Sequence, residues 1–123
     1  MSTVFHHLFF LLTYKPNEVK IIKRFLASDI VKDIKKAKVY KEFEFIYKDG
    51  DNSIHGIIDL MCEYEGHIDI IDYKLSHVED EAYVNQLNTY RRYIQKKKNK
   101  PVYLYLYSMM SGNYTEVKQI WSI

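Results

Sequence analysis

Two aspartates interrupt stretches that otherwise read as buried strand: Asp59 in Gly56-Ile57-Ile58-Asp59-Leu60, and Asp72 in Ile70-Ile71-Asp72-Tyr73-Lys74. If Glu65-Gly66 is a two-residue hairpin turn, opposed residue numbers sum to 131 and Asp59 lies directly across from Asp72. A symmetric loop over Asp49 to Asn52 makes numbers across the preceding hairpin sum to 101, which puts Glu42 opposite Asp59. Lys74 stands two residues beyond Asp72 and therefore projects from the same face. Three acids and a lysine would then line up across three strands. Like charges opposed at about 5 Å destabilise a sheet unless a cation or a proton compensates them. Carboxylate oxygens suit Mg²⁺ or Mn²⁺, which activates water and neutralises a phosphodiester, while a lysine orients the water or stabilises the phosphorane-like transition state. The implied chemistry is metal-assisted phosphodiester hydrolysis. Each residue alone reads more readily as an ordinary solvated strand position, with Lys74 neutralising a neighbouring acid. It is the joint pattern that points to a site.

The elements that must position these groups can be read from periodicity. Three β-rich stretches at about 39–47, 54–64 and 68–75, separated by Asp49-Gly50-Asp51-Asn52 and Glu65-Gly66, predict a three-stranded meander. Upstream, apolar residues at 5–12, then Val19, Ile22, Phe25 and Leu26, then Ile30, Val31 and Ile34, recur at helical spacing, so the N-terminal third is expected to be helical. Residues 79–97 carry Tyr83, Leu87, Tyr90 and Ile94 on one stripe, the pattern of an amphipathic helix that Pro101 ends. Val102-Tyr103-Leu104-Tyr105-Leu106-Tyr107 alternates as a strand does, and a last strand is expected near 114–120. The tyrosines of that run could stack on single-stranded bases, but a core face is the commoner use of such rings. The predicted order is ααβββαββ, an α/β fold with a central mixed sheet flanked by helices.

Composition narrows the function classes. A chain of 123 residues with 47% hydrophobic and 28% charged residues reads as one folded domain over 1–123 rather than a disordered segment. Its net charge of +2 is too small to establish nucleic-acid binding, so that argument must come from the site. A lone cysteine, Cys62, forms no internal disulfide and by itself holds neither zinc nor an iron-sulfur cluster, which fits a reducing cytoplasm. The apolar run at 4–12 is too short to cross a bilayer and lacks the flanks of a secretory leader, so no membrane partner is expected. No Gly-x-x-x-x-Gly-Lys-Ser/Thr loop is present, so any ATP-driven motor must lie elsewhere. Arg91, Arg92, Lys96, Lys97, Lys98 and Lys100 make the end of the long helix basic, which suits either a phosphate backbone or the helix dipole.

With those residues in place, Gly-Ile-Ile-Asp59, then Ile-Asp72-Tyr-Lys74, then Gln86-Leu87-Asn88-Thr89-Tyr90 resemble, in order and spacing, the signature of the PD-(D/E)XK nuclease modules of the bacterial RecB and AddA helicase-nuclease subunits. Ser2-Thr3-Val4-Phe5-His6 is similar to that family's Gly-Thr-x-x-His segment, and Lys41-Glu42-Phe43-Glu44-Phe45 to its Arg-Glu-x-Pro-Phe segment. The likeness runs from residue 2 to about 107, with Ser2, Glu44 and Leu75 as departures that remove no expected ligand. It implies a restriction-endonuclease-like core and a Mg²⁺-dependent deoxyribonuclease, an exonuclease before an endonuclease, acting in DNA repair or recombination with a helicase segment or subunit. It further implies that His6, Asp59, Asp72 and the Tyr73 carbonyl hold the metal, Lys74 serves the attacking water, Glu42 supports the site, and Gln86 and Tyr90 lie beside it near DNA. His7, His55, His67 and His77 have no such support and read as surface or turn residues. The same fold also admits a catalytically silent DNA-binding or subunit-contact module, or a dimeric structure-selective endonuclease.

Overall fold

The computed structural model describes residues 16–74 and 81–119; the helix expected at 5–12, with His6, lies outside them. Helix α1 (Pro16–Leu26) begins at a proline, which at the first helical position gives up no hydrogen bond. Two 3₁₀ turns follow, Asp29–Val31 and Ile34–Lys36. Then come β1 (Lys38–Asp49), β2 (Asn52–Glu63), β3 (Ile68–Lys74), helix α2 (Glu81–Lys98), β4 (Val102–Ser108) and β5 (Tyr114–Val117). Strands lie side by side in chain order, antiparallel throughout except for the parallel β3–β4 pair that the α2 crossover joins. The result is an α/β fold on a mixed five-stranded sheet.

The expected helix through Ile30, Val31 and Ile34 is corrected to the two 3₁₀ turns. Their backbone bonds run i to i+3, from Val31 N–H to Ser28 O and from Ala37 N–H to Ile34 O, at 3.2 and 3.1 Å. An apolar pattern of i, i+1, i+4 over so few residues does not separate the two helix types, and Ser28, Asp29 and Asp33 favour local turns over a continued α-helix. The three apolar side chains are nevertheless buried, as the pattern requires. The last strand also stops at Val117, earlier than expected.

Register follows the sequence arithmetic. From Lys38↔Glu63 to Asp49↔Asn52 the paired numbers of β1 and β2 sum to 101, and from Leu60↔Ile71 to Glu63↔Ile68 those of β2 and β3 sum to 131. Tyr64 N–H donates to His67 O at 2.8 Å, closing the hairpin around Glu65-Gly66. Two cores sandwich the sheet. On one face Leu87, Tyr90 and Ile94 of α2 pack on Ile58, Met61, Ile68 and Ile70 and on Val102, Leu104 and Leu106. On the other, Phe25, Ile30, Val31 and Ile34 cover Leu60, Cys62, Ile71 and Tyr107. Each fully buried aliphatic side chain contributes about 1.5–3 kcal/mol. The β4 tyrosines all face this second side but differ in depth: Tyr107 is buried against Phe25, Tyr105 half-buried and Tyr103 exposed. Only the inner end of that stripe is therefore core.

Helix α2 ends where Asn99 takes a left-handed φ of 56° and its N–H returns to Gln95 O at 2.9 Å, just before Pro101. Where β1 crosses β2 at Phe45↔Gly56, a Cβ on Gly56 would stand 2.3 Å from Phe45 Cζ. That ring is wedged between Tyr90 and Tyr93 at 5.1 Å from each and cannot yield. Gly56→Ala is expected to lower unfolding free energy by about 1–3 kcal/mol in urea titration; an unchanged midpoint would show that the hairpin can open there.

Candidate active site

The β2–β3 ladder stops at Leu60↔Ile71, one rung short of Asp59 and Asp72, while β3 runs on to Lys74 through its parallel pairing with β4. At this register Tyr73 N–H would next donate to a backbone carbonyl of β2. It donates instead to the Asp59 carboxylate, Oδ2, at 2.9 Å. Asp59 thus takes over the bond of the missing rung.

The same point marks an irregularity on β1. Lys41↔Leu60 and Phe43↔Ile58 are paired, but Glu42, the residue between, is not, and it holds a φ of 49°. A left-handed φ is uncommon for a residue with a side chain and marks local strain. Side-chain alternation reverses there: Tyr40 and Phe43 both pack on the α2-side core, as do Ile58 and Met61 across from them. Glu42 and Asp59 therefore line a cleft of about 270 Å³ with Phe25, Leu26 and Tyr73, on the α1 side. Asp72 and Lys74 keep the alternation of Ile68 and Ile70, toward α2. The expected single-faced row of three acids is corrected accordingly: the reversal turns Glu42 toward the α1 side, while Asp59, at the break itself, borders that cleft and stays within hydrogen-bonding reach of Asp72.

Asp72 is 5% exposed, and its Oδ2 is buried without a hydrogen-bond partner among the described residues. Burial, then the charge of Asp59 and a hydrogen bond to it, push the Asp72 carboxyl up to about 8, while Lys74 pulls the other way. Two carboxyls can share such a bond only if one keeps a proton, so with both ionised Oδ2 has no donor. Lys74 is half-buried, and its Nζ sits 5.7 Å from the centre of the Tyr83 ring on α2. Its carbonyl accepts a bond from Met109 N–H at 2.9 Å, which fixes the strand end.

Gln86 is exposed on α2, whereas Tyr90 is 6% exposed and packed edge-on against Phe45. Among the described residues no three His, Cys, Asp or Glu side chains converge as a metal-ligand group, and His6 is outside them. The donor chemistry of Asp59 and Asp72 nevertheless fits a hard divalent cation, since an unpartnered buried carboxylate oxygen beside a second carboxylate is what such an ion would satisfy. Sequence reasoning missed a second buried acid, Asp69, at the far end of β3 and on its opposite face. Burial pushes it up to about 6 against the charge of His67, whose Nε2 lies 3.5 Å away. The pattern Ile68-Asp69-Ile70 carried the same signal as Asp72, an acid inside an apolar strand. His55, 3.2 Å from Glu44, is exposed, as its lack of motif suggested.

No protein-family model matches the chain. Among curated proteins it is 37% identical to the AddA subunit of the ATP-dependent helicase/nuclease of Clostridium beijerinckii over an alignment covering 75% of this chain. It is 38% identical to the subunit of the same name in Clostridium kluyveri over 62% of the chain, and 31% identical to that of Clostridium acetobutylicum over 72%. The chain is homologous to part of the helicase/nuclease protein AddA. It spans only 7–10% of the length of these relatives. This homology agrees with the RecB/AddA-like resemblance carried by the Asp59, Asp72 and Lys74 motifs. Two solved structures share the fold at 12% identity and a TM-score of 0.52 each. Protein VC1899 of Vibrio cholerae matches 76% of this chain with 24% of its own, and a Eubacterium rectale protein named as a candidate exonuclease matches 83% with 44% of its own. No helix among the described residues is long and apolar enough to cross a membrane.

The Asp72 carboxyl sets a pH dependence for the metal-free protein. Between its usual value of 3.8 and about 8, the unfolded chain has released a proton that the folded chain keeps. Folding stability therefore falls as pH rises through that window. In EDTA, Asp72→Asn is expected to exceed the parent by roughly a few kcal/mol near pH 9 and to match it near pH 4. Denaturant midpoints at the two pH values measure this, and a difference independent of pH would contradict the assignment.

Proposed function

We propose that this chain is a Mg²⁺-dependent deoxyribonuclease module with a PD-(D/E)XK core, hydrolysing DNA phosphodiester bonds in repair or recombination. The observation that carries the reading is the meeting of Asp59 and Asp72 at the end of the β2–β3 ladder, where Asp72 Oδ2 is buried without a partner and Lys74 stands two residues on. Homology to part of the helicase/nuclease protein AddA supports it. Asp59 and Asp72, together with the Tyr73 carbonyl and, by the family resemblance, His6, would hold the cation. Bound Mg²⁺ or Mn²⁺ supplies two things here, acidification of water and neutralisation of phosphate charge.

The chain's own groups then have distinct tasks. Asp59, anchored by the Tyr73 N–H, is fixed in orientation before any substrate arrives. Asp72, buried and strand-paired on β3, presents its free oxygen to the site. The Lys74 ammonium, steadied over Tyr83, can donate hydrogen bonds to the attacking water or to a phosphate oxygen as negative charge grows there. Glu42 lines the cleft with Asp59 and can support it through a shared water. The water gives up a proton as its oxygen bonds to phosphorus, and the leaving sugar oxygen takes one from solvent as its bond to phosphorus breaks. A helicase segment or subunit would deliver the strand, and exonucleolytic action is favoured.

The test is cleavage of linear and circular DNA while Mg²⁺ and Mn²⁺ are titrated. Metal-dependent cleavage is expected, reduced at least about a hundredfold by Asp72→Ala or Lys74→Ala with the fold retained by circular dichroism. Resistance of the circular substrate would mark an exonuclease. Activity indifferent to both substitutions would remove the assigned site.

A further inference from the structure

The structure sorts the basic residues at the end of α2 into two groups. Lys98 and Lys100 hold Glu63 at 3.3 and 3.1 Å, and Lys100 also donates to Tyr64 O at 2.8 Å. Burial opposes ionisation of Glu63, but hydrogen bonds and charge from Lys100 and Lys98 keep it below the usual carboxylate range. Arg91 is 2% exposed and donates to Val117 O. These three are structural.

Lys96 and Lys97 remain exposed, without a carboxylate partner among the described residues. They border an open groove of about 560 Å³ between α2 and β1, whose other walls are Lys48, Tyr47, Tyr93 and Ile46. Among the described residues no acid lines it. Tyr47 and Tyr93 stack at 5.1 Å, Lys97 Nζ lies 5.7 Å from the Tyr93 centroid, and Tyr93 Oη donates to Ile46 O at 3.4 Å. Ile46 is 68% exposed, an apolar side chain left in solvent among lysines. Lys97 over the Tyr93 ring, with Lys48 and Lys96 beside it and partly exposed tyrosines in the wall, matches the chemistry of a single nucleic-acid strand, whose phosphates take the lysines and whose unpaired bases take the tyrosine surface left open. A duplex keeps its bases stacked inside and offers the groove only phosphates.

We propose that the Tyr47–Tyr93 groove, with Lys48, Lys96 and Lys97, binds single-stranded DNA away from the cleavage site; the choice of DNA rests on the nuclease reading, the groove does not. Tyr47 lies five residues beyond Glu42 on β1, about 17 Å at the rise of a strand, so the bound segment is several nucleotides from the carboxylates. The groove holds the strand while the site at the ladder end acts on it.

The experiment measures binding of labelled oligo(dT) by anisotropy in EDTA, so no cleavage intervenes. Lys96→Glu with Lys97→Glu is expected to weaken binding at least tenfold and to flatten the logarithmic salt dependence by roughly 1.4, two single-strand phosphate contacts. Lys32→Glu with Lys35→Glu makes the same charge change on the 3₁₀ turns, remote from the groove, and is expected to cost less than about twofold. An abasic oligomer of equal charge should bind about tenfold more weakly than oligo(dT), the loss of one stacked base. Equal effects of the two charge reversals, equal binding of the abasic oligomer, or equal binding of a duplex would each overturn the proposal. Groove-dependent binding without metal-dependent cleavage would instead sink the nuclease reading and leave the groove standing.

Discussion

Two carboxylates meeting inside a folded sheet must be separated, neutralised or given a partner, and the local structure of this chain is arranged around that requirement. Asp72 is nearly inaccessible, and Asp59 is its closest electrostatic opponent. A regular ladder would hold the pair at its shortest spacing. The ladder ends one rung before it, and the Asp59 carboxylate is drawn onto the Tyr73 N–H that the missing rung would have used. The left-handed Glu42 and the reversal of alternation on β1 and β2 belong to the same rearrangement.

Such a break would fray most strand ends. β3 is protected because it is an interior strand, and its parallel pairing with β4 runs through Asp72↔Leu106 to Lys74↔Ser108. That pairing depends on the α2 crossover, which also brings Tyr83 over Lys74. The cores on the two faces begin on either side of the irregularity and do not need it: Ile70 and Leu104 anchor one, Ile71 and Tyr107 the other. The sheet thus concentrates its local conflict at one rung while its packing carries stability elsewhere, the distribution expected where a site is held ready for a ligand.

Charge around the molecule is divided in the same economical way. Two lysines of the α2 end neutralise Glu63 and tie β2 to the helix, while two neighbours stay open over stacked tyrosines. The buried Asp69 pairs with the partly exposed His67 at the opposite end of β3. Spacing alone could not distribute these roles, because adjacent lysines on a helix point about 100° apart and only the neighbours they meet decide which is structural.

The register of the meander was legible in the sequence because it follows from two turns: Glu65-Gly66 and the Asp49–Asn52 loop fix which residues oppose, and side-chain period does the rest. The α2 stripe of Tyr83, Leu87, Tyr90 and Ile94 was legible for the same reason, a strong period over a long element. The 3₁₀ turns were not, since three apolar residues in five cannot define a helix type. Nor was the reversal at Glu42, which puts that acid in a cleft facing α1 with Asp59 at its border, because no local signal marks a φ of 49° at a glutamate. The sequence by itself determined the register of the two meander hairpins, though not the break that leaves Glu42, Asp59 and Asp72 unpaired there. Only the tertiary structure decided which way they face and which charges stay free, because those follow from strands bending against their neighbours and from partners distant in the chain.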